Sequence, residues 1–234
     1  MPNNLIKKIL HLYPRQDKNM IFKSGREGYW SNLSKQENNK FEKILENDGT
    51  KKAVESVIPQ FKDMIYSEKR EAALELLDHK NPGVCIDFGC MWGVLSVGMA
   101  KRGHDVISID QTYQSLLFLK KRADEDCLNN IHIVQDDIKK TNFTDVADYA
   151  IVNGVLEWIP ILEDVEVENF YEKSLYSSDK DAEMPGDMQK QFLKTVYSSL
   201  KEEGEMMLAI ENRHSHQYYM GRKAPHANLL FTPF

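Results

Sequence analysis

The sequence predicts an α/β protein built on a doubly wound, mostly parallel sheet, with an N-terminal helical extension. Three observations predict it. Short apolar runs alternate with helix-period segments from residue 84 onward. A glycine-bearing loop, Asp87-Phe-Gly-Cys-Met-Trp-Gly93, stands between the first such run and the first such helix. Three successive predicted strands end on or run into acids, at Asp87, Asp110 and Asp136-Asp137. The chain has 234 residues, 41% hydrophobic and 28% charged, enough for a sizeable core without disulfide or metal staples.

Taken in order, residues 1–66 read as mostly helix and loop. Phe41, Ile44 and Leu45 follow the i, i+3, i+4 spacing of one apolar helix face. Val54, Val57, Ile58, Phe61 and Ile65 continue it, interrupted at Pro59. A further helix over about 68–77 carries Ala72, Ala73, Leu76 and Leu77, and Asn81-Pro-Gly stops it. Strands are expected at 84–87, 106–110, 131–134, 149–152 and 205–210. Between them lie helices over 94–101, with Gly103 as its C-terminal cap, over 113–123, and over 188–200, ended by Gly204. Strand-helix alternation implies right-handed parallel crossovers. Residues 163–187 hold nine acids and two lysines and read as a flexible acidic loop. The expected division is a helical cap over 1–67 and an α/β domain over 68–234.

Charge and composition exclude several classes. The net charge is −6, against a general nucleic-acid binder. Residues 1–67 nonetheless carry a net +4 and the remainder −10. The first segment is therefore either a solvated basic face or a cap that draws an anionic substrate. Three cysteines make neither a disulfide framework nor a zinc site and suit a reducing compartment. There is no apolar run long enough to span a bilayer, and the first residues are too polar for a signal peptide, so a cytoplasmic protein is expected.

The glycine loop is the most informative segment. It sits where an open α/β sheet binds its ligand, outside the carboxyl ends of the strands. The dinucleotide pattern G-x-G-x-x-G fails, because Met91 and Val94 stand where glycines are needed, so a dehydrogenase fits poorly. No Gly-Lys-Ser/Thr follows, which removes a P-loop. Asp87 would repel a pyrophosphate and attract an ammonium or sulfonium. Asp110, 23 residues on, is placed to accept ribose hydroxyls, or to cap the next helix. A carboxylate of Asp136-Asp137 could accept from an exocyclic amino group such as adenine's.

Together these residues resemble the class I S-adenosylmethionine-dependent methyltransferases. The likeness covers about 83–212, on Val84-Cys-Ile-Asp-Phe-Gly-Cys-Met-Trp-Gly, Gly103-His-Asp-Val-Ile-Ser-Ile-Asp, Val134-Gln-Asp-Asp and Asn153-Gly-Val-Leu-Glu-Trp-Ile. Glu211-Asn-Arg, with Tyr219, Gly221 and His226, looks like a bacterial subgroup acting on surface sugars and other small molecules. The resemblance implies S-adenosylmethionine as cofactor, S-adenosylhomocysteine as product and a small-molecule or sugar acceptor. It implies that Asp87, Gly89, Cys90 and Gly93 shape the methionine pocket. Asp110, with Gln111 beside it, would hold the ribose. Asp137 more than Asp136, with Ile138, would face adenine, and Asn153 would line the methyl group. Trp92 or Trp158 would pack near the cofactor or in the core.

Two departures stand out. Met91 occupies a position where the family usually has glycine, which would narrow the pocket or shift the backbone. The family's last two strands are not found after residue 210. Methyl transfer is an in-line displacement, so alignment and exclusion of water dominate, with a base for an oxygen or nitrogen acceptor. Glu157 and His214 are the candidate bases, with His216 and His226 behind them. No metal is expected from these histidines. His104 and His132 read as structural, and Cys90 lacks a neighbouring base. Tyr29-Trp30 and Tyr218-Tyr219 would line a substrate pocket or anchor an interface. The alternatives are a binding module that keeps the fold without turnover, favoured by Met91, and an RNA or protein methyltransferase using 1–67 as its recognition arm. A homo-oligomer fits any of these readings.

Overall fold

The computed structural model describes residues 4–24, 33–78, 81–160, 185–210 and 216–222. Tyr29-Trp30, His214, His226, Glu211-Asn-Arg and most of the acidic loop lie outside the described residues. The elements are α1 (Asn4–Leu12), β1 (Arg15–Gln16), β2 (Phe22–Lys23), α2 (Lys35–Asp48), α3 (Thr50–Val57), α4 (Lys62–Tyr66), β3 (Val84–Phe88), α5 (Val94–Lys101), β4 (Asp105–Asp110), α6 (Tyr113–Glu125), β5 (Ile131–Gln135), β6 (Ala147–Asn153), α7 (Pro185–Ser199), β7 (Leu200–Ala209) and α8 (His216–Tyr219).

Seven strands form one sheet in the order β1-β2-β5-β4-β3-β6-β7. Every pairing is parallel except β1 with β2. Side-chain alternation divides the two faces. Ile86, Phe88, Ile107 and Ile109 pack with Leu5 and Ile9 of α1 and with Phe192 and Val196 of α7. On the other face Cys85, Val106 and Ile151 pack with Leu95 and Met99 of α5. Leu116 and Leu119 of α6 cover Ile133 there. A third layer, α2 to α4, packs Phe41, Leu45, Val54 and Ile65 onto Phe118 and the loop residue Trp92.

Local chemistry explains the element ends. Ser34 caps α2 through a reciprocal capping box with Glu37. After α5, the Gly103 N–H donates to Ala100 and the His104 N–H to Met99, a Schellman motif with Gly103 at φ +89°.

Four expectations are corrected. The first 66 residues are not helix and loop alone, because β1 and β2 extend the sheet beside β5. The 68–77 helix is a 3-10 helix over Glu68–Leu76. At three residues per turn, Leu74 and Leu77 share the buried face and Leu76 is 82% exposed. Gly204 does not end a helix; α7 stops at Ser199, and Gly204 lies within β7. There the β6–β7 register shifts, and a Cβ on Gly204 would come within 3.0 Å of the Ala147 carbonyl oxygen. The acidic segment also ends earlier than expected, since 185–187 form the first turn of α7. Among the described residues β7 is the last strand and forms one edge of the sheet.

Candidate active site

The chain steps outward from β3 to β4 and β5 and then crosses back to β6 on the other side of β3, so the strand order reverses between β3 and β6. The crevice outside the carboxyl ends of β3, β4 and β6 is where such a sheet takes a ligand. The glycine loop fills the floor of this crevice. Gly89 and Gly93 have φ of +74° and +70°, and Met91, between them, has φ +47°. Side chains are excluded at both glycines. A Cβ on Gly89 would lie 2.6 Å from Val155 Cγ2, and one on Gly93 would lie 2.2 Å from Leu119 Cδ1.

Several of the loop's N–H groups are bound within the fold. Those of Gly89 and Cys90 donate to the Ile109 carbonyl at 2.8 and 3.0 Å. The Met91 N–H donates to Asp110 Oδ2 at 2.9 Å.

The carboxylates stand at adjoining strand ends with different surroundings. Asp87 points to the α5 face by strand alternation, is 3% exposed, and accepts from Ser96 Oγ at 2.6 Å. Ser108 Oγ donates in turn to Ser96. Burial, with Asp110 nearby, pushes Asp87 up to about 7 against the Ser96 hydrogen bond. Asp110 Oδ1 accepts the Thr112 N–H at 2.8 Å. Burial raises its pKa too, opposed by the N–H donors of Thr112 and Met91. Gln111, next in the turn, accepts on its carbonyl from Gln135 Nε2.

Asp136 and Asp137 are each 3% exposed. Asp136 accepts from the Tyr13 hydroxyl at 2.8 Å, and its other oxygen accepts the Asp137 N–H. Asp137 caps the turn at Ile138–Lys140 and pairs with Lys140 at 3.3 Å. Ile138 is buried in the core. Asn153 ends β6, and the Gly154 N–H donates to the Ala209 carbonyl, carrying the β6–β7 pairing one residue further. Glu157 follows within the same segment, 9% exposed, with Oε1 3.8 Å from the position a Gly154 Cβ would take.

Other residues take different places. Trp92 packs edge-on against Phe118 and Phe41, at 5.4 and 5.7 Å between ring centroids, anchoring the loop to the helical layer. Met91 packs against that same cluster. Its φ of +47° lies in the left-handed region that favours glycine. Burial holds the Cys90 thiol well above its ordinary pKa, so it stays protonated. His104 accepts the Gly83 N–H on Nδ1. His132 stays 3.9 Å from Asp105, with burial lowering its pKa. His216 is exposed on α8. Among the described residues no cluster of three His, Cys, Asp or Glu could hold a metal.

Tyr13 and Ser96 are the partners that sequence reasoning missed. The i, i+4 pair Leu5 and Ile9 was the available signal for α1, which delivers Tyr13. Ser96 had no signal beyond its place in the first turn of α5.

A family model described as tellurite resistance protein TehB matches residues 62–170. No curated protein matches the chain. Among solved structures, a Methanococcus maripaludis protein assigned to the S-adenosyl-L-methionine-dependent methyltransferases is 19% identical, with TM-score 0.44, over 77% of this chain and 67% of that one. A Pyrococcus horikoshii protein is 23% identical, with TM-score 0.46, over 64% and 61%. A SAM-dependent methyltransferase from Aquifex aeolicus is 12% identical, with TM-score 0.46, over 67% and 76%. The strand order defines a Rossmann-like α/β fold, and over residues 62–170 the chain is similar to the TehB family.

Proposed function

We propose that the chain is an S-adenosylmethionine-dependent methyltransferase acting on a small molecule or sugar. One observation carries the reading: carboxylates stand at the ends of three adjacent strands, beside a sharp glycine loop that hydrogen-bonds to one of them. That acceptor set fits a cationic ligand rich in hydroxyl and amino groups and disfavours a phosphate. S-adenosylmethionine, when bound, supplies a methyl group already activated on a sulfonium.

The chain's own residues bind, orient and shield. Asp110 is fixed by two backbone N–H bonds and keeps lone pairs for ribose hydroxyls. Asp137 and Asp136, with Ile138, form the adenine end. Gly89, Cys90 and Gly93 line the methionine end, with Asp87 beneath them supplying negative charge. Asn153 lines the reacting end. Glu157, in the segment leaving β6, takes the acceptor proton, or His214 does. The binding-module alternative rests on Met91, whose side chain packs toward the helical layer. Among the described residues no helix is long and apolar enough to cross a membrane. We read the protein as bacterial and cytoplasmic.

The test is calorimetric titration of the chain with S-adenosylmethionine, repeated on Asp110→Ala, with circular dichroism confirming both folds. The expected result is one-to-one binding that the variant weakens by roughly tenfold or more. A folded wild-type chain without binding overturns the reading.

A further inference from the structure

A cavity of about 580 Å³ opens at the end of the helices remote from the glycine loop, lined by α3, α4, α5, α6 and the 3-10 helix. Its charges are paired with one exception. Arg102 meets Glu71 at 3.6 Å and Glu75 at 2.6 Å. Lys101 meets Asp126 at 3.3 Å. Glu125, nearby, accepts both the N–H and the hydroxyl of Thr50.

The exception is Arg122, in the last turn of α6. Its side chain lies over the Tyr66 ring, 5.2 Å from guanidinium carbon to centroid. Nη1 donates to the Ile65 carbonyl at 3.0 Å. Among the described residues it makes no ion pair and no second hydrogen bond, although the residue is only 7% exposed. A guanidinium has five N–H donors in a rigid fork, and four are unused by the protein. The Tyr66 hydroxyl, beside Thr50, is buried without a partner at hydrogen-bonding geometry. A cation kept only to complement a helix end would be satisfied by carbonyls or a carboxylate. Here one carbonyl is used, and the rest of the fork lines a cavity.

We infer that this cavity binds a small oxyanion, a carboxylate or phosphate group, with Arg122 as its anchor and the Tyr66 hydroxyl as a second donor. Planar guanidinium forks match both groups bidentately, and the neighbouring acids are held by their own partners. The site is separate from the strand-end crevice. Arg122 lies nine residues along α6 from Tyr113, about 14 Å at 1.5 Å per residue. Because Arg122 also ties α6 to α4, an occupied site would clamp the N-terminal layer onto the α/β core.

The test is NMR of the arginine-¹⁵N-labelled chain, with the Arg122 Nε–H signal assigned by its loss in Arg122→Lys. Sodium phosphate and sodium acetate are titrated separately against sodium chloride at matched ionic strength. The expected result is a saturable shift of the Arg122 signal that chloride does not produce. Saturation by phosphate alone identifies a phosphate ligand, and by acetate alone a carboxylate. Tyr66→Phe, which leaves the guanidinium and its Ile65 bond in place, should weaken the response roughly tenfold. It should leave S-adenosylmethionine binding unchanged, so this result is separable from the proposed activity. A linear, chloride-like drift with both anions overturns the inference.

Discussion

Asp110 accepts the backbone N–H of Met91 at 2.9 Å, in a turn where Met91 takes φ +47°. The strand end and the loop are therefore locked together across the crevice floor. A left-handed φ costs a side-chain-bearing residue about 1–2 kcal/mol. Met91→Gly removes that cost, but it also loses the thioether's packing and frees the unfolded chain. The net change in stability should stay within about 1 kcal/mol, with cofactor binding retained. Met91→Val, β-branched at positive φ, should lose about 2 kcal/mol. Urea midpoints of the two variants check both, and equal stability of the pair contradicts the strain argument.

Gly93 packs under α6. Gly93→Ala places a Cβ 2.2 Å from Leu119 Cδ1 and strains φ +70°. The expected loss is about 2–4 kcal/mol. Because clash and strain are separate, Gly93→Ala with Leu119→Ala should be less destabilised than the two single losses added. Simple additivity in a double-mutant cycle would remove the clash as the cause.

Asp87 makes stability depend on pH. Its folded pKa of about 7 exceeds the unfolded value near 3.8, so the folded state binds the extra proton between them. Stability conferred by the protonated form is present at low pH and lost as pH rises toward 7. Asp87→Asn keeps a partner for Ser96 and removes the ionisation. The variant should gain on wild type from pH 4 to about 7, by on the order of 2–4 kcal/mol, and then level off. Denaturation at a series of pH values reads this directly, and a flat difference would place the Asp87 pKa near its ordinary value. A bound sulfonium should release a proton near neutral pH, visible as buffer-dependent binding heat.

Tyr13 joins α1 to the end of β5 through Asp136. Tyr13→Phe removes the hydroxyl while keeping the ring on Phe143, 5.8 Å away. The expected cost is about 1–2 kcal/mol, with faster amide exchange along α1. Unchanged protection of α1 would show that Leu5 and Ile9 hold the helix without the hydrogen bond.

Some of this was legible in the chain because its causes are local. Alternating apolar runs and helix-period segments named β3 to β7 and α5 to α7, since strand and helix periods are set by neighbouring residues. Gly89 and Gly93 marked the sharp turn, and Asp87, Asp110 and Asp136 marked the strand ends. Tertiary structure decided the rest. β1 and β2 are two residues each, too short for any period, and exist only because β5 offers an unpaired edge. Packing turned 68–76 into a 3-10 helix by burying Leu74 and Leu77 together. The environments of the carboxylates were equally hidden. An aspartate reads the same in sequence whether it ends under Ser96, on the Met91 N–H or against Tyr13. Only the fold, by bringing together residues as far apart as Tyr13 and Asp136, determines which charges are buried and which can meet a ligand.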